Sequence, residues 1–356
     1  MLSKSFFSGK SILVTGGTGS FGREFIQQAL GWDCRRVICF SRDEYKQWKM
    51  REEVPQSDRL RWFLGDVRDL ERLRQAFRGV DLIVHAAALK HIPSGESNPL
   101  EVIKTNVLGA NNVIIAAMEN RVQRLIALST DKACNPANLY GASKLCAERM
   151  FISSNGISGQ GGTRFSIVRY GNVVGSRGSV IPLFLERAAL GLPLLVTDRA
   201  MTRFLIRIQD AAAFVADALV DMTGGEIFIP QLPSATLGQI VDAIRPLDNI
   251  KIPVRPGEKQ HEVLFTAAES KTAIEQRLRY IILPESDWYE GEHKGLPVRA
   301  GFEYNSRDAG RLRADELAKW VDEVRRSLAD LSSSDHGTGH RGGDSGIAIR
   351  HLDAGS

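Results

Sequence analysis

Short apolar runs recur along the first half of the chain. They are SILVT at 11–15, RVICFS at 36–41, RWFLGDVRD at 61–69, DLIVHAAA at 81–88, RLIALST at 124–130 and FSIVRYGNV at 165–173. Most are near-continuous in apolar residues rather than alternating, as expected of strands buried on both faces. Between them lie stretches such as REFIQQAL, directly after Gly22, in which apolar residues return every third or fourth position. That period marks a helix with one buried face. Strand and helix in alternation predict a parallel, doubly wound sheet with right-handed crossovers.

After Val173 the rhythm changes. GSRGSVIPLF is loop-like, IQDAAAFVADALVDM (208–222) reads as a helix and GEIFIP (225–230) as a strand. TLGQIVDAI then reads as a helix, and IKIPVRPGEKQHEVLF as a strand and loop. The fold class expected is α/β, a Rossmann-type doubly wound parallel sheet with a smaller α/β substrate-binding domain that reuses part of the first sheet. The boundaries read as 9–175 for the nucleotide-binding domain, with 205–232 returning to it. Residues 176–204 and 233–330 form the smaller domain, and 331–356, rich in Ser, Gly and Asp, form a disordered tail.

Composition narrows the function class. The chain has 356 residues, 43% hydrophobic and 25% charged, which is ordinary for a globular protein with one or two cores. A formal charge of +4 is too small and too scattered to argue for nucleic acid. No apolar run approaches the roughly 20 residues of a membrane span, and MLSKSFFSGK is too short and polar for a signal peptide. Cys34, Cys39, Cys134 and Cys146 form no CxxC pair, so free thiols in a reducing cytoplasm are expected. The seven histidines form no HExxH, and no metal site is expected.

Gly16, Gly19 and Gly22 form GxxGxxG between a strand and a helix. Glycine lets a backbone approach a pyrophosphate, and the helix N-terminus offers free N–H groups. Thr18, Ser20 and Phe21 belong to the same loop. The second strand ends in Ser41-Arg42 with Lys46 nearby, where NAD binders usually place an acid. A guanidinium suits a 2′-phosphate, so NADP is the expected cofactor, with Asp43 able to turn toward the ribose instead. Asp66 and Val67 after the third strand, and Ala86, Ala87 and Ala88 after the fourth, complete the expected cofactor contacts. His85 lies in a buried strand and reads as a core residue.

The stretch LSTDKACNPANLYGASKL places Thr130, Asp131 and Lys132 at a strand end. Tyr140 and Lys144 follow, four apart and thus on one helix face. A phenol is a poor base at neutral pH, with a pKa near 10; a neighbouring ammonium favours its phenolate. Such a tyrosine can take the proton of a substrate alcohol as hydride leaves to a nicotinamide. Together TGGTGSFG, HAAA and YGASK resemble the extended, nucleotide-sugar-modifying short-chain dehydrogenases/reductases. Simple alcohol oxidation has no task for Asp131 and Lys132. Elimination of water across carbons 5 and 6 of a 4-keto sugar has one: a base for the carbon-5 proton and an acid for the carbon-6 hydroxyl. Lys132 is the expected base and Asp131 the expected acid.

SRDEYKQ, GDVRD, HAAALKHIP, RYGNVVGSRGSVIP, MTRF and RPGEKQHEVL narrow the likeness to the UDP-N-acetylglucosamine 4,6-dehydratases that invert carbon 5, over about Ser11 to Glu285. That resemblance implies a 4-keto-6-deoxy-L-arabino product on the way to pseudaminic acid, NADP recycled within each turnover, and a homo-oligomer, dimer or hexamer. It places catalysis on Asp131, Lys132 and Tyr140, with Lys144 supporting the tyrosine and Thr130 beside them. Arg255 and Glu258 match the family's nucleotide stretch; Lys90, Asn172, Arg177 and Arg203 are the further substrate contacts expected. Retaining relatives carry Met at the position of Tyr140. Three other readings stay open: a UDP-sugar 4-epimerase, a retaining 4,6-dehydratase, and a non-enzymatic NADP-sensing protein.

Overall fold

The computed structural model describes residues 4–55, 57–244 and 249–336. Six strands, β1 (Ser11–Thr15), β2 (Arg36–Ser41), β3 (Leu60–Leu64), β4 (Leu82–His85), β5 (Arg124–Thr130) and β6 (Arg164–Tyr170), run parallel in the order β3-β2-β1-β4-β5-β6. Every residue of β1 and β4 is buried, as the unbroken apolar runs require. The strand order reverses between β1 and β4, which opens a crevice at their carboxyl ends. Register pairs Thr15 with Phe40 and His85, and Thr130 with Tyr170, so these ends fall along one edge.

The sheet does not stop at β6. Ile227–Pro230 adds in parallel, and the hairpin Ala273–Gln276 and Arg279–Ile282 adds antiparallel beyond it, giving ten strands with Leu296–Pro297 among the described residues. Of the segment 205–232, read as returning to the first sheet, Ile227–Pro230 joins it, while Thr202–Arg207 pairs with Asn172–Val174 and Ser234–Thr236 in a separate sheet. The hairpin at 273–282, read as part of the smaller domain, instead extends the main sheet and shares its core through Ala273, Tyr280, Ile281 and Ile282. A short strand with one apolar face carries no mark of which sheet it will join.

A second core gathers Val174, Ile181, Phe184, Leu185, Met201, Ile240, Leu317 and Trp320. It holds the Val180–Ala189 and Leu237–Ile244 helices over the carboxyl edge of the main sheet. The last helix, Ala314–His336, packs its first turns there and runs past Leu331 into the stretch read as tail. The remainder of that stretch, from residue 337, lies outside the described residues.

Candidate active site

Helix α1 (Ser20–Leu30) buries Gly22, Phe25, Ile26 and Ala29 at the expected helical spacing. Its N-cap, Gly19, offers no side chain, so the first N–H groups are left to a ligand. Gly16 has φ +66°, and a Cβ there would lie 2.9 Å from the Ala87 nitrogen. A Cβ on Gly22 would run into the Gly16 carbonyl. The glycine spacing therefore closes β1, β4 and α1 tightly around a cradle shaped for a pyrophosphate.

At the end of β2, Asp43 caps the Glu44–Glu53 helix by accepting the Lys46 N–H at 2.9 Å, and pairs with Lys46 Nζ at 2.7 Å. Its carboxylate is thus engaged by the first turn of its own helix and by the Lys46 ammonium, at the border of the cavity. Arg42 is 52% exposed along its side chain, 3.7 Å from Asp66. The Arg68 and Arg42 guanidiniums, against an opposing effect of burial, hold the Asp66 carboxyl below the usual range.

One cavity of about 990 Å³ runs along the carboxyl edge. From β1 to β4 it is lined by Gly16, Thr18, Gly19, Ser20, Phe21, Gly22, Ser41, Arg42, Lys46, Asp66, Val67 and Ala86 to Ala88. Beyond these it is lined by Lys90 and, from the end of β5 onward, by Thr130, Lys132, Tyr140, Lys144, Asn172, Arg177, Arg203, Arg255 and Glu258. Every residue expected at the site borders this space except Asp131. Arg177 donates its N–H to Ser20 Oγ at 3.1 Å, which brings it against the glycine loop. Arg203 is 8% exposed and pairs with Glu258 at 3.4 Å. His85 is buried with Nδ1 2.8 Å from Thr15 Oγ1, and burial, then the Lys144 charge, push it down to about 3. It is a neutral core residue, as expected.

Tyr140 and Lys144 sit on the first turns of the Leu139–Ser158 helix. Asn138 caps that helix by accepting the Gly141 N–H at 2.9 Å, and Glu96 accepts the Leu139 N–H at 2.8 Å. Gly141 lies against the Asp131–Ala133 turn; a Cβ there would fall inside the Lys132 carbonyl oxygen. Below the site Arg169, wholly buried, joins Glu148 of the same helix to Glu269 and to the Leu264 carbonyl. The tyrosine helix, β6 and the segment after residue 260 are thereby locked together.

The electrostatics depart from the sequence reading in two ways. Burial pushes the Tyr140 phenol up to about 12 rather than down, and the cation that opposes this is Lys132, not Lys144. Burial brings Lys144 down to about 8, with Glu148 working against it. Secondly, Lys132 is held well above its ordinary value. Burial disfavours its charge, but Asp131 at 3.0 Å and Glu262 at 3.3 Å outweigh burial. In this arrangement Lys132 is held in its charged form, whereas the role of base expected for it needs the neutral amine.

Asp131 is 0% exposed and stands behind Lys132. Its Oδ1 accepts the Thr130 hydroxyl at 2.8 Å and the Lys132 ammonium at 3.0 Å, and its Oδ2 has no partner. Of the two carboxylates on the Lys132 ammonium, the one that borders the cavity is Glu262, which the sequence reading missed. It lies in the quoted stretch RPGEKQHEVL, but no local pattern distinguishes it from Glu258. A contact with Lys132, distant in the chain, is what marks it.

Comparison with known proteins agrees with this geometry. Residues 12–284 match the family model described as polysaccharide biosynthesis protein. The UDP-N-acetylglucosamine 4,6-dehydratase (inverting) of Campylobacter jejuni is 45% identical, covering 93% of this chain and 99% of that protein. The chain belongs to the polysaccharide biosynthesis family of extended short-chain dehydrogenases/reductases. Its likeness to the inverting dehydratases, read from the motifs, is borne out. A UDP-glucose 4-epimerase of Rickettsia akari is 38% identical over 88% of this chain and 95% of its own. Among solved structures, Pen from Bacillus thuringiensis is 34% identical and superimposes with a TM-score of 0.84, covering 90% of this chain and 99% of that one. The dTDP-glucose 4,6-dehydratase DesIV of Streptomyces venezuelae, solved with NAD bound, is 26% identical with a TM-score of 0.63, over 70% of this chain and 86% of that one. The cradle at Gly16, Gly19 and Gly22 accordingly fits a nicotinamide cofactor. Among the described residues no group could hold a metal ion, and no helix is long and apolar enough to cross a membrane.

Proposed function

We propose that the protein is a hydro-lyase that dehydrates UDP-N-acetylglucosamine across carbons 5 and 6 with inversion at carbon 5, giving UDP-2-acetamido-2,6-dideoxy-beta-L-arabino-hex-4-ulose. The observation that carries this reading is the Lys132 ammonium, clamped by carboxylates in the same cavity as Tyr140 and Lys144. Hydride transfer alone needs the second pair; only elimination also needs an acid of this kind.

The cofactor is NADP. Asp43 is spent on its helix cap, while Arg42 and Lys46 border the space beyond the cradle. When bound, the nicotinamide supplies an acceptor and later a donor of hydride. Tyr140 takes the proton of the carbon-4 hydroxyl. Thr130 hydrogen-bonds the phenol, and the nearby Lys132 charge favours its ionised form. Lys144 holds the cofactor's ribose. Lys132 then gives its proton to the departing carbon-6 hydroxyl, and Asp131, one step behind, aims the ammonium. Arg203, Arg255 and Glu258 meet the uridine diphosphate, with Lys90, Asn172 and Arg177 along the sugar and the cofactor phosphates.

Incubation with UDP-N-acetylglucosamine and NADP tests the reading. Loss of one water by mass spectrometry, with the L-arabino configuration by NMR, is expected. Unchanged mass with an altered carbon-4 configuration would make the protein a 4-epimerase, the activity named for its Rickettsia relatives. Binding of NADP without turnover would make it a sensor.

A further inference from the structure

The segment 255–262 has two sides. On one, Arg255, Pro256, Gly257, Glu258 and Glu262 border the cavity. On the other, it is stitched to the stretch that carries the acid–base groups. Pro256 and Gly257 form the centre of a tight turn, in which the Glu258 N–H donates to the Arg255 carbonyl at 3.1 Å and Gly257 has φ +77°. A type II turn asks for that conformation at its third residue. The turn lies against the loop before Tyr140. A Cβ on Gly257 would lie 2.8 Å from the Ala137 carbonyl oxygen, and the Gly257 carbonyl accepts Asn138 Nδ2–H at 3.0 Å. Two residues on, Lys259 Nζ donates to the Cys134 carbonyl at 2.6 Å. Further along, Glu262 pairs with Lys132 at 3.3 Å, and the Leu264 carbonyl accepts Cys134 Sγ–H at 3.1 Å.

The Asp131–Ala133 turn needs such support. It is a single turn of 3₁₀ helix, a geometry with poor hydrogen bonds. The Cys134 N–H reaches the Asp131 carbonyl at 3.2 Å, and the Lys132 N–H reaches Thr130 Oγ1 at 3.3 Å. Both are at or beyond the long end of the usual range. The bond that arrives from Lys259 is shorter than either, and its donor is charged, which strengthens it. Lys259 itself does not border the cavity. Its ammonium meets a backbone carbonyl, not the substrate space.

From this we infer that Lys259 is a positioning residue for elimination: through the Cys134 carbonyl it holds the turn that carries Asp131 and Lys132 in register with the segment that meets the nucleotide. The inference rests on the dehydratase reading above, in which Arg255 and Glu258 meet the uridine diphosphate. Acid–base groups work only when held within about 0.5 Å of their productive places. Whichever proton Asp131 and Lys132 each move, a turn that drifts misses carbon 5 or the carbon-6 hydroxyl. Nucleotide bound against 255–258 steadies the segment, and Lys259 passes that restraint to the turn. Binding remote from the reacting carbons is thereby used at them. Removal of hydride from carbon 4 depends less on Lys259. Tyr140 and Lys144 ride on the Leu139–Ser158 helix, which is fixed separately by its Asn138 cap, by Glu96 and by the Arg169–Glu148 pair.

Kinetics of Lys259→Met with UDP-N-acetylglucosamine and NADP test the assignment. The kcat for water release should fall about ten- to a hundredfold, the scale of a small misplacement, while KM stays within a few-fold of wild type. In a single turnover, reduced cofactor should form within a few-fold of the wild-type rate and then accumulate, because the step that consumes it waits on elimination. Its absorbance reads this directly. Lys259→Arg, which keeps a charged donor of similar reach, should recover most of the loss. A wild-type kcat in Lys259→Met would overturn the proposal. Equal loss of cofactor reduction and water release would overturn it too, because Lys259 would then serve only the fold. A raised KM at unchanged kcat would make Lys259 a nucleotide contact instead, and Lys259→Arg no better than Lys259→Met would deny the contact its role. If Lys259→Met does not fold, Lys259→Gln, which keeps a neutral donor, must show the same split between the two steps. A wild-type protein that releases no water from UDP-N-acetylglucosamine would instead sink the dehydratase reading itself.

Discussion

At the scale of single residues, the site turns on which groups hold protons. The Tyr140 phenol sits near 12 because burial outweighs the charge of Lys132. Its base form is scarce at neutral pH and grows as pH rises. Single-turnover formation of reduced cofactor should therefore rise with pH across the neutral and mildly alkaline range. Tyr140→Phe should remove that dependence and slow the step on the order of 10²- to 10⁴-fold; a variant that keeps the slope would assign the base elsewhere. Arg42 offers a second residue-scale test. A charge-assisted bond contributes roughly 1.5–3 kcal/mol, so Arg42→Ala should weaken NADP binding by about ten- to a hundredfold and NAD binding far less. Calorimetric titration of both cofactors reads this directly, and equal losses would remove Arg42 from the 2′-phosphate. The spacing of Tyr140 and Lys144 was legible in the sequence because four residues make one helical turn. The identity of the cation facing the phenol was not, since Lys132 comes from a different element.

At the scale of elements, two pieces must touch for the site to exist: the Asp131–Ala133 turn that ends β5 and the Leu139–Ser158 helix. Gly141 is what lets them meet, because its Cβ would overlap the Lys132 carbonyl. Gly141→Ala gains a little helix propensity, at most about 1 kcal/mol. Overpacking against a backbone oxygen costs about 1–3 kcal/mol. The net effect should be a lower melting temperature and a displaced Lys132, with dehydration falling more than NADP affinity. A variant that melts at or above wild type would show that the helix can shift without harm. In the sequence Gly141 reads only as part of YGASK; the reason for glycine there lies in the Lys132 backbone, nine positions earlier in the chain, not in the helix itself.

At the scale of the whole molecule, the sheet is closed on its far side by Glu226, which is wholly buried. It accepts the Ser166 hydroxyl at 2.6 Å, the Gly224 N–H at 2.9 Å and His293 Nε2 at 2.9 Å, so it ties β6 to the segment after the hairpin. Burial alone would raise its pKa, but His293, Ser166 and Thr223 outweigh this and bring it down to about 2. A lowered carboxyl contributes stability above its unfolded value, near 4.3, and loses it as pH falls toward the folded value. That gap corresponds to about 3 kcal/mol. Urea midpoints of the wild type should fall between about pH 5 and pH 2. Glu226→Gln should be less stable at pH 7 with a shallower acid limb; parallel curves would show that the group does not drive it. The alternation of strand and helix that makes a parallel sheet, the glycine cradle, the nicotinamide class of cofactor and the family were all determined by the sequence, because each rests on local periodicity or on residues adjacent in the chain. Tertiary structure alone decided that the 273–282 hairpin joins the main sheet, that Asp131 lies behind Lys132, and that Glu262 borders the cavity. Each of those depends on which distant backbone a segment packs against, and a short segment's pattern is the same whichever neighbour it finds.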